Sequence, residues 1–229
     1  MNGNAPASGP PPPDETPARL AGTFAAALRR GNEDLALDVL RQSLVDGLDG
    51  PAIYLGVFQP AMDEIGALWE TSQIGVGEVH RAASITRWLM DELLDEFRPV
   101  RRREGSPPLL AACAHHEYHD LGLTMVIRFL RRDGWRVADL GADVPESDYV
   151  ETALQTKPGV CLLSAARVDL LPCVQRTIAG LHRAGVQVPT LVGGLLFRRE
   201  PVLAWTVGAT GTASDAQAVV AEVDRLVGH

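Results

Sequence analysis

The sequence predicts an α/β protein in two parts: an N-terminal four-helix bundle, then a flavodoxin/Rossmann-like domain with a five-stranded parallel sheet. Three observations predict it. Apolar residues recur at helical spacing from about Pro17 to Phe97, short apolar runs alternate with amphipathic stretches from Leu109 onward, and a Pro-flanked segment separates the two regimes.

Residues 1–15, MNGNAPASGPPPPDE, hold too little apolar surface to stay ordered and are expected as a disordered tail. They show no basic start followed by an apolar stretch, so no secretion signal is read there. The bundle is expected over 16–98. Its first helix carries Leu20, Phe24 and Leu28; the second Leu35, Val39, Leu40 and Leu44; the third Ile53, Val57, Ile65, Leu68 and Trp69; the fourth Ile85, Trp88, Leu89 and Leu93. Gly31-Asn32, Asp49-Gly50-Pro51 and Gln73-Ile74-Gly75 break the runs, giving an up-and-down arrangement with short connections. Residues 99–107 are read as a linker whose Arg101-Arg102-Arg103 is solvated charge.

From 108 to 229, strands are expected near 109–114, 135–140, 159–164, 188–193 and 209–212, with helices near 120–132, 146–156, 168–184 and 214–227. Strand and helix taking turns implies a parallel sheet covered on both faces. Right-handed crossovers then bring the loops after the first, third and fourth strands to one edge, where such sheets bind ligands. Trp88, Trp135 and Trp205 are assigned to core packing.

A hydrophobic share of 46% supports a real core, and no stretch is long and apolar enough to span a membrane. The net charge of −8 would repel a phosphate backbone, so direct nucleic-acid binding is not expected. Cys113, Cys161 and Cys173 lie in or beside apolar runs and suit buried thiols in a reducing cytoplasm, the expected location.

Three short elements follow the predicted strands: Glu117-Tyr118-His119-Asp120-Leu121-Gly122, Ser164-Ala165-Ala166, and Gly193-Gly194. Between Gly122 and Ser164 lie 41 residues, and between Ala166 and Gly193 lie 26. This pattern resembles the cobalamin-binding domains of methionine synthase, of corrinoid methyltransfer proteins and of cobalamin-dependent light-sensing repressors. Their Asp-x-His-x-x-Gly, Ser-x-Leu and Gly-Gly elements stand at the same intervals. Glu117 replaces the aspartate here, and Ala166 the leucine.

The resemblance implies that His119 is the lower axial ligand of cobalt, with the cobalamin's own base displaced. Imidazole suits such a metal, and a carboxylate behind it normally orients the ring. Glu117 is expected in that role, with Ser164 bonding to its carboxylate. Gly122 would let the cofactor approach the helix start, and the small residues Ser164, Ala165, Ala166, Gly193 and Gly194 would leave a slot for the nucleotide tail; Tyr118 and Asp120 are placed in the same site. The competing interpretations are a loop histidine satisfied by water or backbone, and a zinc site built from His115, His116 and His119. Zinc is disfavoured because adjacent residues point in different directions and no further Cys or His stands at zinc-ligand spacing.

A second segment, Trp69 to His80, resembles the cap of the light-sensing repressors, in which Trp, nine residues and Glu-His cover the upper axial group. Trp69 and His80 match, Val79 stands in place of the glutamate, and Glu70 in place of a histidine that captures cobalt after light. With Val76 and Val79 in it, the upper chamber is expected to be less polar and roomier. Adenosylcobalamin is the expected cofactor, and biliverdin is compatible as a second chromophore. The preferred function is a cobalamin photoreceptor or sensor rather than an enzyme, with no DNA-binding domain of its own, acting through an unidentified output protein or its homo-oligomeric state. The alternative is a corrinoid carrier for a methyltransferase system, although the Lys-Asn that follows the glycine in such carriers is absent: Leu123-Thr124-Met125 follows Gly122. A third is an interaction module with a degenerate site, which predicts a colourless protein.

Overall fold

Short polar side chains open several of the helices, because the first N–H groups of a helix lack partners within it. The computed structural model describes residues 16–228, so the expected tail at 1–15 lies outside the described residues. Two units form, dividing between Glu96 and Phe97. In the first, α1 (Thr16–Arg30) is followed by α2 (Glu33–Val45), where Asn32 accepts the Leu35 N–H at 2.9 Å. Asp49 accepts the Ala52 N–H at 2.9 Å and opens α3 (Gly50–Ile53), which continues through a π-helical turn, Tyr54–Phe58, into α4 (Gln59–Glu70). The fourth stretch is α5 (Val76–Glu92). Phe24 of α1 stacks on Phe58 with ring centroids 4.9 Å apart, and the Tyr54 hydroxyl donates to the Met90 carbonyl at 3.2 Å. Four helical stretches therefore share one core, as the apolar spacing predicts. The π turn has no counterpart in that spacing, yet Tyr54, Val57 and Phe58 are all buried within it.

In the second unit, five parallel strands, β1 (Leu109–Cys113), β2 (Val137–Asp139), β3 (Val160–Ser164), β4 (Thr190–Gly193) and β5 (Gly211–Thr212), stand in the order β2-β1-β3-β4-β5. The helices are α6 (Leu121–Arg132), α7 (Glu146–Thr156), α8 (Leu171–Arg183), α9 (Leu195–Arg199), α10 (Leu203–Thr206) and α11 (Ala216–Val227). Side chains alternate across the sheet, as a strand's two-residue period requires. Leu110, Ala112, Cys161 and Leu163 pack with Tyr149, Ile178 and Phe197 on one face; Leu109, Ala111, Val160 and Leu162 pack with Leu123, Ile127 and Val223 on the other. Helices α9 and α10 were not expected, because LLFRR and LAWT are too short for a helical period to show.

This strand order has a switch point between β1 and β3, where successive connections leave in opposite directions and open a crevice beyond the strand ends. Register fixes what meets there: Cys113 pairs with Ser164, and Ser164 with Gly193. The ends of β1, β3 and β4 thus lie side by side on one edge.

Two expectations are corrected. Arg101 and Arg103, read as solvated linker charge, are instead paired within the second unit. Arg101 meets Asp133 at 2.7 Å and Asp224 at 2.9 Å, while the nearly buried Arg103 pairs with both aspartates and lies over the Trp135 ring at 4.2 Å. Two carboxylates brought together by α6 and α11 need cations, and these arginines supply them. Of the tryptophans assigned to the core only Trp135 is buried; Trp88 is 37% exposed and Trp205 60%. Among the described residues no helix is long and apolar enough to cross a membrane.

Tyr149 reaches from α7 into the sheet, fully buried, its hydroxyl 3.2 Å from the carbonyl oxygens of both Leu110 and Leu162 on neighbouring strands. Removing the hydroxyl by Tyr149→Phe should cost about 0.5–1.5 kcal/mol, the usual worth of one such bond. Urea unfolding checks this: the midpoint should fall with the slope unchanged.

Candidate functional site

The chain leaves β1 through a tight turn in which the Glu117 N–H donates to the Ala114 carbonyl at 2.9 Å, and His116 takes a left-handed φ of 68°. That turn drives the Glu117 side chain inward, where it is fully buried. Its Oε1 accepts the His119 backbone N–H at 2.9 Å and lies 2.6 Å from His119 Nδ1; its Oε2 accepts the Ala166 N–H at 2.6 Å. One carboxylate therefore ties the loop after β1 to the loop after β3 across the switch point.

Engaging Nδ1 leaves Nε2 of His119 as the nitrogen free for a metal, and the side chain is 46% exposed. An imidazole held in this way has a set orientation and tautomer and a raised basicity, as metal-binding histidines usually do. The expected bond from Ser164 to the carboxylate is not the one formed. Ser164 is the register partner of Cys113, and its hydroxyl bonds to that thiol, so the backbone of Ala166 serves Glu117 instead.

Burial alone would push the Glu117 pKa up, but hydrogen bonds from the His119 ring, the His119 N–H and the Ala166 N–H outweigh it and hold the carboxyl below its ordinary value. The hydrogen bond to Glu117 raises the His119 pKa against the opposing effect of burial. Beneath them burial pushes the Cys113 thiol up to about 12, and likewise Cys161 to about 11, so both stay protonated and unreactive.

The glycines differ in what they do. Gly194 has φ +92°, and a Cβ there would collide with the Ala165 carbonyl oxygen, so the backbone itself demands glycine. Gly122, at the start of α6, and Gly193, at the end of β4, would each meet nothing within 4 Å. Packing within the chain gives no reason for a missing side chain at either, as at several other glycines such as Gly66 and Gly105. Tyr118 is 63% exposed and directs its hydroxyl to Asp143, and the Asp120 carbonyl accepts the Thr124 N–H that begins α6.

The remaining expected site residues lie in the first unit. Trp69 stands near the end of α4, 40% exposed, which makes it no bundle-core aromatic. Val76, Val79 and His80 lie in the first turns of α5, with Val76 57% exposed and His80 exposed. Glu78, one position before the place of the resembling family's glutamate, accepts the Gly75 N–H at 2.9 Å and caps α5. Sequence reasoning missed two contributors: the Ala166 N–H, a backbone donor that any residue but proline would offer, and Asp143, whose only signal is a polar position in the loop after β2.

Two family models, each described as a B12 binding domain, match residues 107–221 and 20–94. Over 172 residues the chain is 28% identical to the HTH-type transcriptional repressor CarA of Myxococcus xanthus, covering 75% of this chain and 57% of that protein. It is also 28% identical, over 166 residues, to trimethylamine corrinoid protein 1 of Methanosarcina acetivorans, covering 71% of this chain and 77% of that one. The chain thus spans little more than half of the repressor's length. The Methanosarcina barkeri monomethylamine corrinoid protein shares the fold, with a TM-score of 0.77 at 19% identity over 91% of this chain and 96% of that one.

The Glu117–His119 pair makes stability depend on pH in a defined window. A raised histidine pKa stabilises fully below its ordinary 6.5, and the benefit is lost as pH rises through the folded value; a lowered glutamate pKa stabilises above its ordinary 4.5, and the benefit is lost as pH falls through the folded value. In cofactor-free protein the melting-temperature gap between wild type and Glu117→Gln should therefore be widest between those two values and narrow on either side. A gap independent of pH would show that the pair is not ionised as described.

Proposed function

The chain belongs to the B12-binding domain family, and from that premise we propose that it is a corrinoid carrier, holding cobalamin through His119 for a partner methyltransferase. One observation carries the cofactor assignment: an imidazole whose Nδ1 is fixed by a buried carboxylate and whose Nε2 is left for a metal. When bound, cobalamin supplies a cobalt centre able to accept and give up a methyl group. Glu117 orients the ring and shares the Nδ1 proton. Gly122 and Gly193 would keep side chains away from the macrocycle, and Ser164 and Ala166 would border the nucleotide tail, while Ala165 between them is buried in the core.

The carrier reading is supported over the sensor reading by the relatives named as corrinoid proteins for trimethylamine, dimethylamine and methanol, which this chain matches over 74–78% of their own length, against 57% for the repressor. The sensor preferred from sequence remains the second reading, favoured by one observation: the half-exposed indole of Trp69, followed by His80 at the interval seen in the light-sensing repressors. An adenosyl upper ligand and a bilin belong to that reading alone.

A reconstitution separates the two. After loading with cobalamin and dialysis, the carrier should keep about one corrin per chain, take up one methyl group from methyl iodide once the cobalt is reduced, and keep its oligomeric state when its adenosylcobalamin form meets green light. A light-driven change of assembly would replace the carrier with the sensor, and a new red band on adding biliverdin would point the same way. Loss of all corrin on dialysis would end both. Glu117→Gln should weaken corrin binding by about ten- to a hundredfold, the usual cost of losing the group behind a metal-binding histidine.

A further inference from the structure

We propose that His115, His116 and Asp143 form a second metal site, distinct from the corrin ligand His119, that takes a divalent cation of the zinc class. The donor atoms of all three side chains lie within 4.8 Å of one another. His115 Nδ1 is 3.0 Å and His116 Nδ1 3.9 Å from Asp143 Oδ1. Two donors about 2.0–2.1 Å from one tetrahedral ion stand about 3.4 Å apart, and the two spacings to Asp143 bracket that distance; the histidine rings, now tilted by 32°, would open further to aim both lone pairs at one ion. Two imidazoles and one carboxylate leave a fourth position for water, a donor set that suits zinc.

Two features of the backbone and the rings point to a ligand rather than to an ordinary surface pair. His115 Nδ1 is shielded from solvent and, despite its nearness to Asp143, makes no hydrogen bond, which leaves a lone pair or a proton unsatisfied. Of the four non-glycine residues with positive φ among the described residues, two are His116 at 68° and Asp143 at 53°, joined by the His116 N–H donating to Asp143 Oδ1 at 2.7 Å. Such conformations are costly and persist where the surroundings hold them, often at functional sites.

The left-handed turn also explains how neighbours in sequence come to share a site. Consecutive side chains diverge in extended or helical backbone, which is the reason for disfavouring zinc from sequence. With His116 left-handed, the two rings instead lie with centroids 3.7 Å apart. The third donor comes from the loop after β2, not from His119, whose Nδ1 is held by Glu117. A bound ion would therefore clamp the loop after β1 to the loop after β2, on the side of the corrin histidine away from β3. The site does not depend on the carrier reading.

The test is titration of the full-length chain with zinc chloride after chelator treatment, both cobalamin-free and cobalamin-loaded, followed by calorimetry and by thermal melting. One zinc per chain is expected in both forms, with a melting temperature that rises with zinc. His115→Ala, His116→Ala and Asp143→Asn should each weaken binding at least about tenfold, since even groups behind metal ligands cost that much; His119→Ala should leave it intact. Should either alanine variant fail to fold, Asp143→Asn decides. Absence of zinc binding, binding indifferent to these substitutions, or binding abolished by His119→Ala would overturn the proposal. Failure to retain cobalamin would leave the zinc result standing on its own.

Discussion

A single buried carboxylate holds the site together. Glu117 meets the loop after β1 through His119 and the loop after β3 through the Ala166 N–H, and these are the two loops between which the sheet changes direction. A hydrogen bond to a charged group contributes about 1.5–3 kcal/mol, and the half-exposed His119 places its own share toward the low end through solvent screening. The carboxylate is nonetheless costly to bury without partners, so both loops must keep their places for it to remain ionised. Ring orientation, basicity and position of the imidazole all follow from that one requirement.

The sheet makes the requirement easy to meet. β1 and β3 are adjacent with Cys113 opposite Ser164, so the two loops leave the sheet as neighbours, and β4 ends beside them at Gly193. Alternating side chains bury both faces of these strands, which leaves the strand ends as the place where a ligand can reach the backbone. Gly122 and Gly193 border that place, with open space where a Cβ would stand. The Arg101–Asp133–Asp224–Arg103 cluster, with Trp135 beneath it, joins α6 and α11 on one face and so steadies the helix that follows the His119 loop.

Much of this was legible because it rests on periodicity and spacing. Five strands, the longer helices between them and the order of the three motif elements follow from alternation and intervals, and the place of Glu117 behind His119 from the resemblance to cobalamin-binding domains. The rest was hidden from the sequence for identifiable physical reasons. The Ala166 N–H belongs to the backbone, so no side chain announces it. Helices α9 and α10 and the π turn at Tyr54–Phe58 are shorter than the windows that reveal a period. Arg101 and Arg103 lie in a Pro-flanked stretch with the composition of a linker, and their partners Asp133 and Asp224 are distant in sequence. The pairing of the His115 and His116 rings depends on one left-handed φ at His116, a conformation that no periodicity announces.

Ligation of cobalt by His119 is most directly tested by electron paramagnetic resonance of the chain loaded with cobalamin and reduced to the cobalt(II) state, prepared with ordinary histidine and with histidine labelled with nitrogen-15. If the imidazole is the axial donor, the nitrogen splitting changes from a triplet to a doublet on labelling. A triplet that persists in the labelled protein would mean that the cofactor's own base holds the metal, and would contradict the role assigned to His119.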